Sequence, residues 1–318
     1  MLNIGIIGLG SISQKAYLPY MRQLTGIRWH LFTRKAEVLQ EAASLFGQAE
    51  IYGSLEELAA APLDGVFIHT ATEVHWKTAE LFLKRGLPVY MDKPLTESYE
   101  SSRALYNLAA ENGTFLMAGF NRRFAPRVTE LKTISNKTRI IASKNDINAP
   151  ADFQYKLFDL FIHPLDTALF LMDQQPVNGW FICKKQNSQL VQIKVIFESE
   201  TELAEVSMNL QAGSRQEVIE VQSPQETHTL INLSEMTVYQ GDKSYGKSFG
   251  SWDTTLYKRG FEGVIDRFLQ AVLDHKEEGA IVFKNPVTEQ SSLLSHWICD
   301  QINRSEHSFG CLSMTLPD

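Results

Sequence analysis

The first 118 residues alternate strand-like and helix-like segments, and this alternation limits the possible folds more than any other feature of the chain. Leu2–Gly8, Ile27–Thr33, Gly65–Thr70, Leu87–Met91 and Thr114–Ala118 are short apolar runs, the pattern of buried strands. Between them Ser13–Leu24, Lys35–Phe46, Ser54–Ala60, Glu73–Lys84 and Ser98–Glu111 carry helical spacing. Ser54 followed by Glu57 reads as a capping box. Gly86 and Gly113 stand where a left-handed residue closes a helix. Strands and helices in this order imply βαβ units, right-handed crossovers and a doubly wound parallel sheet.

After Gly119 the alternation stops. Leu190–Phe197, Leu203–Leu210, Glu217–Val221, Thr227–Ile231 and Met236–Tyr239 follow one another as strand-like runs separated by polar turns, which predicts an open, mainly antiparallel meander. Two closing helices, near Gly260–His275 and Val287–Asn303, are expected to cover it, and the tail beyond Glu306 reads as a loose end. The chain has 318 residues, and at about 150 residues per domain this suggests two domains. Their expected spans are 1–120 and 121–318, with the boundary near Gly119–Phe124.

Composition narrows the function classes. With 44% hydrophobic residues the chain can form cores, which excludes disorder as its main state. A net charge of −7 offers no basic footprint for nucleic acid and no polybasic membrane anchor. Cys183, Cys299 and Cys311 form no CxxC spacing, so neither a disulfide framework nor a zinc site is expected, and a reducing cytoplasm fits. No His/Asp/Glu group has metal-ligand spacing. The start MLNIGIIGLG lacks the basic region of a signal peptide, and no stretch reaches the ~20 apolar residues of a membrane span.

Chemistry enters at residues 8–13, Gly-Leu-Gly-Ser-Ile-Ser, between a buried strand and a helix. In the dinucleotide fingerprint Gly8 permits the tight turn, and Gly10 lets the backbone approach a pyrophosphate. That pyrophosphate rests on the helix N-terminus, which begins here at Ser11 and Ile12. Ser13 replaces the third glycine.

Four motifs, GIIGLGSIS at Gly5–Ser13, VYMDKPL at Val89–Leu95, GFNRRFAP at Gly119–Pro126 and DLFIHPLD at Asp159–Asp166, resemble the Gfo/Idh/MocA family of NAD(P)-dependent oxidoreductases, and within it the MviM-like branch. The resemblance implies a Rossmann domain followed by an α/β domain whose open, mainly antiparallel sheet builds the substrate pocket and usually the oligomer interface. It also marks Lys93, at the carboxyl edge of the parallel sheet, as the residue that polarises a substrate oxygen. Asp92 stands where the family more often has Glu. His163 is then the group that exchanges the hydroxyl proton, with Asp159 orienting the pair. Asp159, His163 and Asp166 would share one helix face, provided that Pro164 does not start or kink the helix between them. Phe161 occupies a position where the family often has Gly. Thr70 and His75 fall in a loop and helix start that the family places beside the cofactor, where His75 either contacts the cofactor or caps or packs the helix. His69 either lines that site or packs. Asn121, Arg122 and Arg123 either bind cofactor or substrate, or clamp the domains together.

An acid at the end of the second strand would bond the ribose of NAD. Here the strand ends in Thr33-Arg34-Lys35, and no acid appears until Glu37, inside the next helix. Thr33 and Arg34 suit a 2′-phosphate, so NADP(H) is the expected cofactor, with NAD(H) possible. The expected function is hydride transfer between nicotinamide and a hydroxyl-bearing carbon of a sugar, cyclitol or related small molecule. The alternatives are a cofactor-binding regulator without chemistry and an interaction protein. A five-strand meander with two helices leaves one face uncovered, which predicts an apolar patch and a homodimer or larger even oligomer.

Overall fold

A computed structural model of the chain describes residues 1–278 and 283–317. Two compact units emerge, one formed by Met1–Gly119 with Phe261–Glu289, the other by Phe120–Gly260 with the residues from Gln290 onward.

The first unit is built on a six-stranded parallel sheet in the order β3-β2-β1-β4-β5-β6. Its strands are β1 (Leu2–Ile7), β2 (Ile27–Phe32), β3 (Glu50–Ile51), β4 (Gly65–Ile68), β5 (Val89–Asp92) and β6 (Leu116–Gly119). Strand order reverses between β1 and β4, the point where open α/β sheets bind ligands at their carboxyl ends. Local signals behave as expected: Ser54 Oγ accepts from the Glu57 amide at 3.1 Å, and the Glu57 carboxylate accepts from the Gly53 amide at 2.9 Å. Gly86 and Gly113 take φ of 70° and 64° at their helix ends.

The span 121–318 expected of the second domain is interrupted. Helix Phe261–Glu278 belongs with the first unit. The reason is its apolar stripe: Phe268 stands edge-on to Phe67 at 4.7 Å and lies 5.7 Å from Tyr90, both on the parallel sheet. Apolar periodicity announces a helix but not the sheet it covers.

The second unit holds a ten-stranded mixed sheet. Its strands are β7 (Arg139–Ile147), β8 (Ala151–Asp152), β9 (Asn178–Gln186), β10 (Gln189–Glu198), β11 (Leu203–Ala212), β12 (Gln216–Gln222), β13 (Thr227–Ile231), β14 (Glu235–Gln240), β15 (Lys243–Lys247) and β16 (Phe309–Leu312). They run in the order β15-β14-β13-β12-β7-β11-β10-β9-β16, with β8 paired to β10. The expected meander is therefore split. β7 inserts between β11 and β12, parallel to the first and antiparallel to the second. The tail is not loose, because β16 adds to the edge of β9. Ile140, Ala142, Val206, Ile219 and Val221 point to one buried face, against which helix Ile162–Leu171 packs.

The other face is not the continuous apolar patch that counting helices suggested. Arg139 and Lys194 both pair with Glu205 across it, and Ser207, Asn209, Glu220 and Thr229 also occupy the alternate positions. Apolar exposure concentrates at one edge, where Ile182 and Phe309, cross-strand partners, are 56% and 70% exposed.

Candidate active site

In the first unit the glycine turn follows the buried β1. Gly8 has φ of +89°, and a Cβ there would lie 2.8 Å from the His69 carbonyl and the Thr70 nitrogen, so the position requires glycine. Around Gly10 nothing lies within 4 Å of the equivalent point, which leaves open space above the helix N-terminus. Ser11 and Ile12 are exposed there. The wide turn Ser13–Tyr17 then buries Ser13 and Tyr17, whose hydroxyl reaches Asp92. Three buried polar atoms border the turn with no hydrogen-bond partner: Ser13 Oγ, Thr70 Oγ1 and His69 Nε2. Buried polar atoms without partners are uncommon, and a polar ligand in the open space would satisfy them. The cradle fits a dinucleotide pyrophosphate.

Asp92 ends β5 and lies directly before Lys93, whose bond to Pro94 is cis. Its carboxylate accepts from the Tyr17 hydroxyl at 2.7 Å and faces His69 Nδ1 at 3.3 Å, while Tyr17 and Tyr90 share a 2.8 Å hydroxyl contact. Burial alone would raise the Asp92 carboxyl, but hydrogen bonds from His69 and Tyr17 and the nearby Lys93 charge outweigh it and hold it below the usual carboxylate range. A fixed anion therefore stands next to Lys93. Shortening Glu to Asp is compatible with this, since the Tyr17 hydroxyl, itself in contact with Tyr90, and the imidazole supply the grip. Neither Tyr17 nor Tyr90 was legible as a site residue; each looks like core in the sequence.

His75, expected to contact the cofactor, serves as a strut. It is buried, with Nδ1 3.0 Å from the Pro94 carbonyl and Nε2 3.0 Å from the Thr70 carbonyl, tying two loops together. Burial pushes its pKa down. Thr33 is half-buried at the end of β2, Arg34 and Lys35 are exposed, and Glu37 lies in the first turn of helix Ala36–Phe46.

In the second unit one helical stretch runs from Phe153 to Leu171, with a wide turn at Lys156–Phe161. Pro164 neither starts nor breaks it. A turn with i→i+5 bonding just before proline adjusts the ladder where the missing N–H would otherwise leave a gap. The three polar residues of this stretch have different anchors. Asp159 hydrogen-bonds the Tyr155 hydroxyl. Asp166 is clamped by Arg123, Nε to Oδ2 at 2.9 Å and Nη2 to Oδ1 at 2.5 Å, and also receives Ser295 Oγ at 2.9 Å. His163 receives a 2.6 Å hydrogen bond from Arg122 Nη1 at its Nδ1. A guanidinium only donates, so Nδ1 is an acceptor and the neutral ring carries its proton on Nε2.

Arg122 also forks onto Glu217, at 2.5 Å from Nε and 2.9 Å from Nη2, and Lys144 Nζ reaches the same carboxylate at 3.1 Å. Burial would raise the Glu217 carboxyl, but the Arg122 and Lys144 charges hold it far below its ordinary value. Asn121 donates its amide to the Arg259 carbonyl at 2.8 Å, and Gly260 packs onto the Asn121–Ala125 backbone. Arg122 and Arg123 are thus internal clamps of this unit. Glu217, Lys144 and Arg259 escaped the sequence reading. The available signal was their phase: Lys144 and Glu217 stand directly opposite each other and continue the buried alternation of β7 and β12. Among the described residues no group of three or more His, Cys, Asp or Glu could hold a metal ion, and no helix is long and apolar enough to cross a membrane.

A parallel sheet with an open glycine cradle at its switch point, and a lysine fixed at the adjacent strand end, defines a nicotinamide-dependent oxidoreductase. Residues 2–120 match the model of the oxidoreductase family with an NAD-binding Rossmann fold, and residues 126–241 match the YceM-like C-terminal domain. YceM of Salmonella typhimurium, an oxidoreductase by name, is 31% identical over 277 residues, covering 85% of this chain and 89% of that one. The MviM dehydrogenase from Clostridium difficile superposes with a TM-score of 0.87 at 26% identity, over 95% of this chain and 98% of that one. The inositol 2-dehydrogenase of Rhizobium meliloti is 32% identical over 131 residues, 38% of this chain and 40% of that one. The chain belongs to the Gfo/Idh/MocA family of oxidoreductases.

Proposed function

We propose that the protein transfers hydride between a nicotinamide cofactor and a hydroxyl-bearing carbon of a sugar, cyclitol or related small molecule. Lys93, set beside a pinned carboxylate at the end of β5, carries this reading. The inositol 2-dehydrogenase relative supports the substrate class. Gly8, Gly10, Ser11, Ile12 and Thr70 would hold the cofactor, and His69 Nε2 and Ser13 Oγ supply further polar contacts. The bound nicotinamide supplies the hydride donor or acceptor. Lys93 and His163 are the proposed catalytic residues. The Arg122 contact favours His163 as an Nε2–H donor that polarises the substrate oxygen, and this gives the proton exchange to Lys93, the reverse of the roles the sequence suggests. Asp159 acts from beside Tyr155 as a positioning residue.

Lys93→Ala and His163→Ala should keep cofactor affinity and lose about 100-fold or more in turnover. Normal turnover in both, with an authentic substrate, would end the assignment.

The cofactor is proposed to be NADP(H) in preference to NAD(H), because Thr33 and the exposed Arg34 directly follow β2 and Glu37 belongs to the following helix. Equal affinities for NADPH and NADH, or an Arg34→Ala variant that weakens both alike, would overturn that choice. The second unit, Phe120–Gly260 with the residues from Gln290 onward, supplies the proposed substrate-binding part. A cytoplasmic location is proposed from three free cysteines. A homodimer or larger even oligomer is proposed through the edge carrying Trp180, Ile182 and Phe309, and light scattering at about 36 kDa would refute it.

A further inference from the structure

The second unit gathers more positive charge around His163 than its own carboxylates neutralise. Arg122 and Lys144 bond one acid, Glu217, and the Arg259 charge also acts on it. Arg122 is bidentate to that acid and already donates to His163. Lys144 donates to Oε2, the oxygen that Arg122 Nη2 also holds. Arg259 is different. Its carbonyl is fixed by Asn121 and the next residue is wedged against the Asn121–Ala125 backbone, so its position is set by rigid neighbours. Its half-buried guanidinium, near enough to feel both Arg122 and Glu217, forms no hydrogen bond or ion pair among the described residues.

A guanidinium left in this state is costly. Burial removes water, and the neighbouring cation repels it; both effects lower its pKa. Lys144 is pushed down for the same reasons, first by burial and then by the Arg122 charge. A merely structural cluster would be better balanced by a second acid. A cluster that receives an anion has a reason to keep the excess, because the incoming charge supplies the missing partner. The arginine fork matches carboxylate and phosphate oxygens, and at a partly buried site such pairs are screened less than at the surface.

We propose that the substrate carries an anionic group, a carboxylate or a phosphate ester, which Arg259 and Lys144 bind near His163. This rests on the oxidoreductase reading above and narrows its substrate class to sugar acids, sugar phosphates and their relatives. Arg122 remains the internal clamp, and Arg259 is the residue that selects for charge.

The test uses the full chain and three probes on one carbon skeleton: D-glucitol, D-gluconate and D-glucitol 6-phosphate. Inorganic phosphate serves as a skeleton-free control. Binding is read by calorimetry with and without NADPH. At least one anionic probe should bind about tenfold or more tighter than glucitol, the size expected for one charge-assisted hydrogen bond. Gluconate in the lead identifies a carboxylate site, and the phosphate ester or free phosphate in the lead identifies a phosphate site. Added salt should shrink the margin. Arg259→Gln should bring it to within about twofold, while Arg259→Lys, which keeps the charge and controls for folding, should retain most of it. Equal or undetectable binding of all probes, or an unchanged margin in Arg259→Gln, overturns the proposal. Turnover of neutral polyols with no anionic margin would leave the oxidoreductase reading standing and remove only this one. A clear margin without turnover of any hydroxyl substrate would do the opposite.

Discussion

Replacing Glu217 with Gln removes the only acid that the described residues bring to the Arg122–Lys144–Arg259 cluster while keeping its shape. Both oxygens of this 5% exposed residue are bound, so three cations would be left facing one another across a neutral amide. Breaking a buried pair on one side costs about 3–5 kcal/mol, and here the repulsion among the cations puts the expectation at the upper end. For a unit of this size each kcal/mol moves the melting point by roughly 2–4 °C, so Glu217→Gln should melt about 10 °C or more below the parent. The double variant Arg122→Met with Glu217→Met lowers the excess from three positive charges in the single variant to two, the excess of the parent, and a well-packed apolar substitute for a buried pair is often neutral. It should recover most of the loss. Calorimetric melts at pH 7 decide the matter. A Glu217→Gln melt within about 2 °C of the parent would refute the argument. So would a double variant no more stable than the single one.

Other expectations concern pH and the glycine turn. His296 is fully buried in helix Glu289–Arg304, and burial lowers its pKa to about 4. The unfolded chain binds that proton near pH 6.5 and the folded one does not, so stability is complete above 6.5 and falls as pH drops from there towards 4. This is worth about 3 kcal/mol, and His296→Gln should flatten the interval in pH-dependent melts. Glu217, whose pKa is also depressed by folding, adds loss only below its unfolded value near 4.5. Gly10→Ala should leave the melting point nearly unchanged, because nothing lies within 4 Å, yet weaken NADPH binding about tenfold or more. Gly8→Ala should destabilise by about 1–3 kcal/mol through its φ of +89° and its backbone clash. Equal thermal effects of the two would refute the distinction.

Much of the first unit is written in its local sequence. A parallel sheet follows from strand–helix alternation, an open glycine turn from Gly8 and Gly10 beside a buried strand, and helix ends from Ser54, Gly86 and Gly113. These features depend on periodicity and on single-residue φ preferences, which neighbours along the chain set. The strand end that carries Lys93 was legible in the same way, while the role proposed for Lys93 came from the resemblance of the VYMDKPL motif. Tertiary structure alone decided the rest. The insertion of β7 between β11 and β12 puts Lys144 opposite Glu217, 73 residues apart, and Glu217 is 95 residues from Arg122. Helix Phe261–Glu278 covers a sheet far behind it in the chain. The roles of His75, His163 and Asp166 depend on which carbonyl, guanidinium or carboxylate meets each side chain. Local patterns record which face of an element is buried. They do not record which distant residue lies against that face, because that choice belongs to sheet order and to the pairing of charges that burial enforces.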